Sequence, residues 1–505
     1  MKEYNKQLKI KILDIDADRP IAVLNSEIAK DFSAKPLDRL LIKRKDSEIN
    51  CILDITNTYV DKDHIGIFKN LANDEKFKDE DLVKVAIVSQ PDSMIAIINK
   101  IKNKPLTRDQ INAIVKDISE NKLTDIEISA FLTACFTNGL NLDETIDLSK
   151  ALVDVGDVVK FTTKDIVLDK HSIGGLNGRV SMILTPIIAS CGYTIPKTAS
   201  RSITSCAGTA DAMEVLAPVS FNLEEIKAIV AKTNGLVAWE GKFDLCPVDN
   251  KLIDIEHVLG INPEGVMIAS ILSKKKSAGV THAIIDVPVG SQVKIKNKED
   301  GERIAQKFIA VGKELNLKLK VLLTDGEIPC GNAFGAGLEA RGVLEILEGK
   351  YFDNLAEKSC ELAGELLELV GKTKDNEGYK LAKEIVTSGK ALEKFKEIIT
   401  AQGGKILASE NVPLAQNKKC VYSKFDGKIV SMSVSSFTRI ARTAGAPGDI
   451  LAGILLKTQT GDQIKKGDLL FEIYSQNADK LEHAYSLAEE LDCIQLQSVI
   501  LEEIQ

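Results

Sequence analysis

The chain has 505 residues, a net charge of −8 and a pI near 5.5, with 44% apolar, 27% charged and 5% aromatic residues. This composition belongs to a globular chain of several domains with a substantial core, and the acidic balance argues against a general nucleic-acid surface. Nine cysteines, an odd number with no C-x-x-C pair, exclude a disulfide framework or a zinc-finger site and point to buried thiols in a reducing compartment. The opening Met1–Asn5 lacks the apolar run of a signal peptide, and no apolar stretch approaches the roughly 18 residues a bilayer span needs. The expectation is a cytoplasmic protein with no membrane or nucleic-acid partner.

The first ~90 residues alternate in a strand-like way, at Leu8–Leu13, Ile21–Leu24 and Leu40–Ile42, and predict a small β-rich barrel or sandwich over 1–90. After Pro91 the pattern becomes helical. Thr107-Arg-Asp-Gln110 and Thr124-Asp-Ile-Glu127 read as capping boxes, and Asn141-Leu-Asp-Glu144 as a similar, weaker one. Three successive amphipathic helices, stopped near Gly139 and Gly156, predict a helical domain over 91–164, with a returning helical part near 250–277. From Asp165, candidate strands at Ile166–Asp169, Ala283–Val287 and Leu319–Thr324 alternate with helical stretches at Asn222–Thr233 and Gly301–Leu315. This predicts an α/β domain with a largely parallel sheet over 165–416. Phe425–Val430, Gly467–Tyr474 and a helix at Ala478–Leu491 predict a C-terminal α+β domain over 417–505. The fold class is therefore multi-domain α/β.

The densest chemical signal lies between Asp169 and Glu214. Asp169-Lys-His-Ser-Ile-Gly-Gly175 ends a strand and leads toward a helix from Arg179, an arrangement that aims backbone N–H groups at an anion. Lys170 adds a charge, and Ser172 and Ser181 add hydroxyls. A second loop, Lys197–Asp211, holds six hydroxyl side chains, two cations and a glycine, the equipment for holding a dianionic phosphate without a metal. The glycines Gly174, Gly175 and Gly178 make neither a dinucleotide fingerprint nor a Walker A loop. His171 can exchange a proton near neutral pH. Ser270, Ser273, Lys274 and Ser277 fall on one face of a helix, which suits either a solvated surface or a polar site.

These segments, in this order, resemble the thymidine phosphorylase family, over nearly the whole chain. The resemblance is strongest to its long branch with an extra N-terminal domain, which includes archaeal AMP phosphorylases and a bacterial group of thymidine phosphorylases. The C-terminal Gly461-Asp and Phe471-Glu-Ile-Tyr-Ser475 stretches share in it. The resemblance implies a homodimer or higher homo-oligomer in which a helical and an α/β domain close over the substrates. It implies no cofactor, inorganic phosphate as co-substrate, and leaves room for a monovalent cation. By resemblance, Lys170, Ser172, Gly174, Ser181 and Thr209 hold phosphate, His171 faces the base, and Ser270 and Lys274 bind it. In AMP-specific members Gly174, the run Ser200, Arg201, Ser202, Ile203, Thr204 and Ser205, then Thr209, Ser270 and Lys294 match nucleotide-contacting positions. Asn262 stands where AMP phosphorylases carry an aspartate proton donor, and Asp254 near a base-contacting arginine. Leu323-Thr-Asp-Gly326 and Ala217-Pro-Val look like the bacterial branch. Phosphorolysis of thymidine is the first expectation, with AMP or another nucleoside monophosphate as its alternative. A phosphoribosyltransferase acting on anthranilate, and a non-catalytic nucleoside- or phosphate-binding protein, are more distant ones.

Overall fold

The computed structural model describes residues 5–16, 19–45, 47–161, 166–174, 176–202, 205–242 and 246–497. The chain divides into two compact units, residues 1–156 with 246–270, and 157–245 with 271–505.

In the first unit, six strands, β1 (Asn5–Leu13), β2 (Ile21–Asn25), β3 (Arg39–Arg44), β4 (Ser47–Thr56), β5 (His64–Phe68) and β6 (Leu82–Val88), close into a barrel of order β1-β5-β2-β4-β3-β6. Closure leaves no open sheet edge, and Leu8, Ile10, Leu24, Leu40, Ile42, Leu53 and Val85 fill the interior. Of the two expected β architectures, the barrel is the one formed.

Four helices follow, one more than expected: Ser93–Ile101 precedes Arg108–Ser119, Asp125–Asn138 and Leu142–Asp154. Thr107, Thr124 and Asn141 each form a complete capping box, so the Asn141 cap is no weaker in kind. Glu144 serves twice. It closes the box at Asn141, and its Oε1 accepts from the buried Lys100 Nζ at 2.7 Å and from Leu106 N at 2.8 Å. The helix Pro247–Leu259 and the start of Glu264–Ser277 complete this core through Val248, Leu252, Ile255, Val266 and Ala269.

The second unit is built on parallel strands. β10 (His282–Val289) lies between β7 (Leu168–Ser172) and β11 (Lys318–Asp325), both parallel to it. β8 (Ile195–Ala199) and β9 (Gly235–Trp239) form a second parallel pair, joined to the first set by a bridge from Val167 to Thr194. Neither β8 nor β9 is marked by the alternation, because strands buried on both faces lose the period of two. The helix Val180–Ser190 buries Val180 through Ala189 without interruption, as a helix surrounded by structure must. It packs with Ala336–Leu347, Asn354–Leu369, Gly378–Thr387 and Lys390–Ala401 in one large core.

Beyond these, β12 (Ala333–Phe334), β13 (Asn417–Tyr422), β15 (Gly453–Leu456) and β17 (Leu469–Ser475) make one antiparallel sheet, in the order β12-β15-β17-β13. β14 (Gly427–Met432), β16 (Gln463–Ile464) and β18 (Ile494–Leu496) make another. Helices Val434–Thr443 and Ala478–Glu490 cover a core centred on Phe334, Phe437 and Phe471. All nine cysteines are free. Among the described residues no helix is long and apolar enough to cross a membrane.

Candidate functional site

β7 runs three residues further than the apolar pattern suggests. Ile166 precedes it, and Lys170, His171 and Ser172 are strand residues rather than loop residues, in register with Ile284, Ile285 and Asp286 of β10. The alternation of a strand therefore points Lys170 and Ser172 to one face and Asp169 and His171 to the other. The chain then turns through Gly174 and Gly178, both with positive φ, to Arg179, which caps the helix Val180–Ser190. Gly178 cannot be replaced without strain, since a Cβ there would sit 2.4 Å from the Cys330 carbonyl oxygen. Asn177 fastens this turn to the neighbouring segment, accepting from Cys330 N and donating to the Ala333 carbonyl, both at 2.9 Å.

Lys197, expected in the second loop, is instead in β8, and the loop starts at Ser200. Asp211 braces it. Its Oδ2 accepts from Ser202 N and Gly208 N at 2.8 Å each, and its Oδ1 pairs with Arg201 at 3.1 Å. Gly208 is required by close approach, a Cβ there lying 2.5 Å from the Ser200 carbonyl oxygen. Arg201 also pairs with Glu214 and stacks 4.8 Å over the ring of Trp239.

These elements enclose a cavity of about 330 Å³. The expected residues Lys170, His171, Ser172, Gly174, Ser181, Ser200, Arg201, Ser205, Thr209 and Lys294 all line it. Ser202 supports the loop without lining the cavity, donating from Oγ to the Ser205 carbonyl. Ile203, Thr204 and Gly175 lie outside the described residues. Lys274 reaches the cavity wall indirectly, 3.3 Å from Glu240, which lines it. The polar face around Lys274 is no solvated surface, because Ser273, Lys275 and Ser277 are buried. Ser270 and Asn262 belong to the other unit. There Ser270 Oγ donates to Asp249 Oδ2 at 2.9 Å, and Asn262 is exposed.

Beside Lys197, the cavity is lined by Glu240, Asp286, Cys330 and Lys358, four residues that no sequence motif marks. Each comes from an element remote in the chain with no motif around it. A lone Asp within the apolar run of β10 was the one available signal, since a buried charge requires a partner. Asp286 Oδ2 lies 3.3 Å from Lys170 Nζ and its Oδ1 3.4 Å from Lys358 Nζ, while Thr324 donates to Oδ1 at 2.6 Å. Burial would raise the Asp286 pKa, but Lys170 and Lys358 pull it below the usual carboxylate range. Asp169 is likewise held ionised against burial by Lys197 at 3.3 Å and Lys275 at 2.5 Å.

His171 changes role in this setting. Burial, followed by the fields of Lys275, Lys197, Lys170 and Lys274, holds its pKa well below the ordinary value. It is neutral at physiological pH, so it can donate one N–H hydrogen bond but does not carry the exchangeable proton expected of it. Six cationic side chains and two carboxylates line the cavity. Such a lining favours an anionic ligand carrying more than one negative charge. Among the described residues no cluster of three or more His, Cys, Asp or Glu could hold a metal.

Three family models match in sequence order. They are the helical bundle domain of a glycosyl transferase family at 95–156, its a/b domain at 164–392, and the pyrimidine nucleoside phosphorylase C-terminal domain at 428–493. Proteins named AMP phosphorylase are similar at full length. Those of Methanococcus vannielii and Methanocaldococcus jannaschii are 39% and 37% identical over 500 residues, covering 98% of this chain and 99% of theirs. That of Thermococcus sibiricus is 39% identical over 499 residues, with the same coverage. Anthranilate phosphoribosyltransferase from Thermus thermophilus shares the fold over 61% of this chain and 99% of its own, at a TM-score of 0.51 and 17% identity. Identity of this level, sustained across both chains and all three matched domains, places the protein in the thymidine/AMP phosphorylase family of glycosyl transferases.

Proposed function

We propose that the protein cleaves the N-glycosidic bond of a nucleoside 5′-monophosphate with inorganic phosphate, releasing the free base and ribose 1,5-bisphosphate. The observation that carries this reading is the excess of cations over carboxylates in the cavity wall. Lys170 and Lys358 come from the sheet and a following helix and Lys294 from the segment after β10, while Arg201 in the second loop is already paired with Asp211 and Glu214. One phosphate does not need so many cations, whereas attacking phosphate together with a 5′-phosphate does. The full-length relatives named AMP phosphorylase favour the same choice, so the thymidine reading expected first gives way to its alternative.

In this reading Lys170, Ser172 and Ser181 orient phosphate for attack at C1′, where the transition state carries oxocarbenium character. Ser200, Ser205, Thr209 and Lys294 hold the nucleotide. His171, as a neutral donor, and Lys274 offset charge on the departing base. The test is product analysis. Protein incubated with phosphate and AMP, CMP or UMP should release free base and form a bisphosphorylated pentose in equal amounts. Release of base without that sugar product would overturn phosphorolysis.

A further inference from the structure

Lys358 belongs to the helix Asn354–Leu369, nearly 190 residues from Lys170 in sequence, yet the two ammonium groups share one carboxylate. Lys170 Nζ is 3.3 Å from Asp286 Oδ2, and Lys358 Nζ is 3.4 Å from Asp286 Oδ1. Lys358 also donates to Thr324 Oγ1 at 3.0 Å, and Thr324 donates in turn to Asp286 Oδ1. Both lysine side chains are largely covered, at 5% and 14% exposure, and both line the cavity. Two cations facing one anion leave a positive charge unbalanced among largely covered side chains, which is costly until an anion enters. The other carboxylate of the wall, Glu240, is engaged by Lys274, and His171 contributes no charge.

We propose that Lys358 is a second lysine ligand of inorganic phosphate, acting with Lys170 as a pair spaced by the two oxygens of Asp286. This deepens the reading of the cavity as a phosphorolysis site and rests on it. Asp286 holds the lysines apart and oriented while phosphate is absent. A dianionic phosphate then accepts from both ammonium groups at once. Thr324 keeps Asp286 in the rotamer that serves both.

The experiment is a titration of the purified protein with inorganic phosphate alone, followed by calorimetry and by the fluorescence of Trp239. Trp239 is the single tryptophan of the chain, stacked beneath the cavity residue Arg201. Lys358→Met and Lys358→Arg are compared with wild type. Loss of a charge-assisted contact predicts phosphate binding weakened at least about tenfold in Lys358→Met, with partial recovery in Lys358→Arg. The KM for phosphate should rise in step, while the KM for nucleotide at saturating phosphate stays within about twofold. The unfolding temperature of both variants without phosphate should stay near that of wild type. Wild-type phosphate affinity in Lys358→Met, or an equal rise of both KM values, would overturn the proposal. Failure of wild type to bind phosphate would overturn it as well. Phosphate binding that depends on Lys358, without cleavage of any nucleotide, would uphold the lysine pair and sink only the substrate reading.

Discussion

Arg179 and Glu339 form a buried ion pair that ties the cap of the helix Val180–Ser190 to the helix Ala336–Leu347. Glu339 Oε1 also accepts from Gly335 N at 3.2 Å. Burial pushes the Glu339 carboxyl up, against the pull of Arg179. Removing one partner leaves the other buried without its counter-charge. Glu339→Ala is expected to cost roughly 3–5 kcal/mol of stability, read as a lower urea midpoint. Because Arg179 lines the cavity and Ser181 sits in the first turn that it caps, phosphate affinity should fall in the same variant.

Lys170→Ala tests the phosphate half of the site. Asp286 keeps Lys358 and Thr324 as partners, so the fold should survive, with unchanged far-ultraviolet circular dichroism. Loss of one positioned electrostatic donor predicts a fall of roughly 10²–10³-fold in kcat/KM. Wild-type turnover would remove Lys170 from the mechanism.

Lys197 supplies a pH dependence. Burial first, moderated by Asp169 and reinforced by the neighbouring Lys275, lowers its pKa to about 8. The cavity therefore loses a cation as pH rises through about 8, and the KM for phosphate should climb there. Lys197→Arg, whose guanidinium stays charged, should flatten that rise. The effect on stability has the opposite sense. An unfolded chain with an ordinary amine pKa of about 10.4 binds more protons than the folded one between about 8 and 10.4, so this group makes stability increase with pH across that window.

How much of this was legible in the sequence depends on whether the information is local. Thr107, Thr124 and Asn141 announce their helices because a cap and its N3 partner are three residues apart, and all three boxes form. Lys170, Ser172 and Ser181 stand in one strand–turn–helix unit, so their convergence could be read directly. Asp286 and Lys358 could not, since only tertiary folding brings β10 and a later helix to Lys170. The end of β7 was misplaced for a related reason. Lys170 and Ser172 look like loop residues, yet β10 supplies the ladder that keeps them in a strand. The neutrality of His171 depends first on burial and then on four lysines, three of which, Lys197, Lys274 and Lys275, come from other elements.

By the family resemblance, Asn262 is expected to face the base. Asparagine hydrogen-bonds but has no acidic proton to transfer, whereas the resemblance implies an aspartate at this position in AMP phosphorylases. Asn262→Asp is expected to raise turnover of AMP by about tenfold or more, as a positioned general acid would, with little change for a pyrimidine monophosphate. Progress curves with both substrates would check it. A loss of AMP turnover in the variant would show that Asn262 does not mark this chemistry.

Matched substrates separate a cavity that takes a nucleotide from one that takes a nucleoside. We would measure kcat/KM at saturating phosphate for AMP against adenosine, UMP against uridine, and thymidine. The 5′-phosphate is expected to raise kcat/KM at least about a hundredfold within each pair, the worth of two tenfold charge-assisted contacts. Equal or better turnover of thymidine or uridine would contradict it and return the protein to the nucleoside-cleaving side of its family.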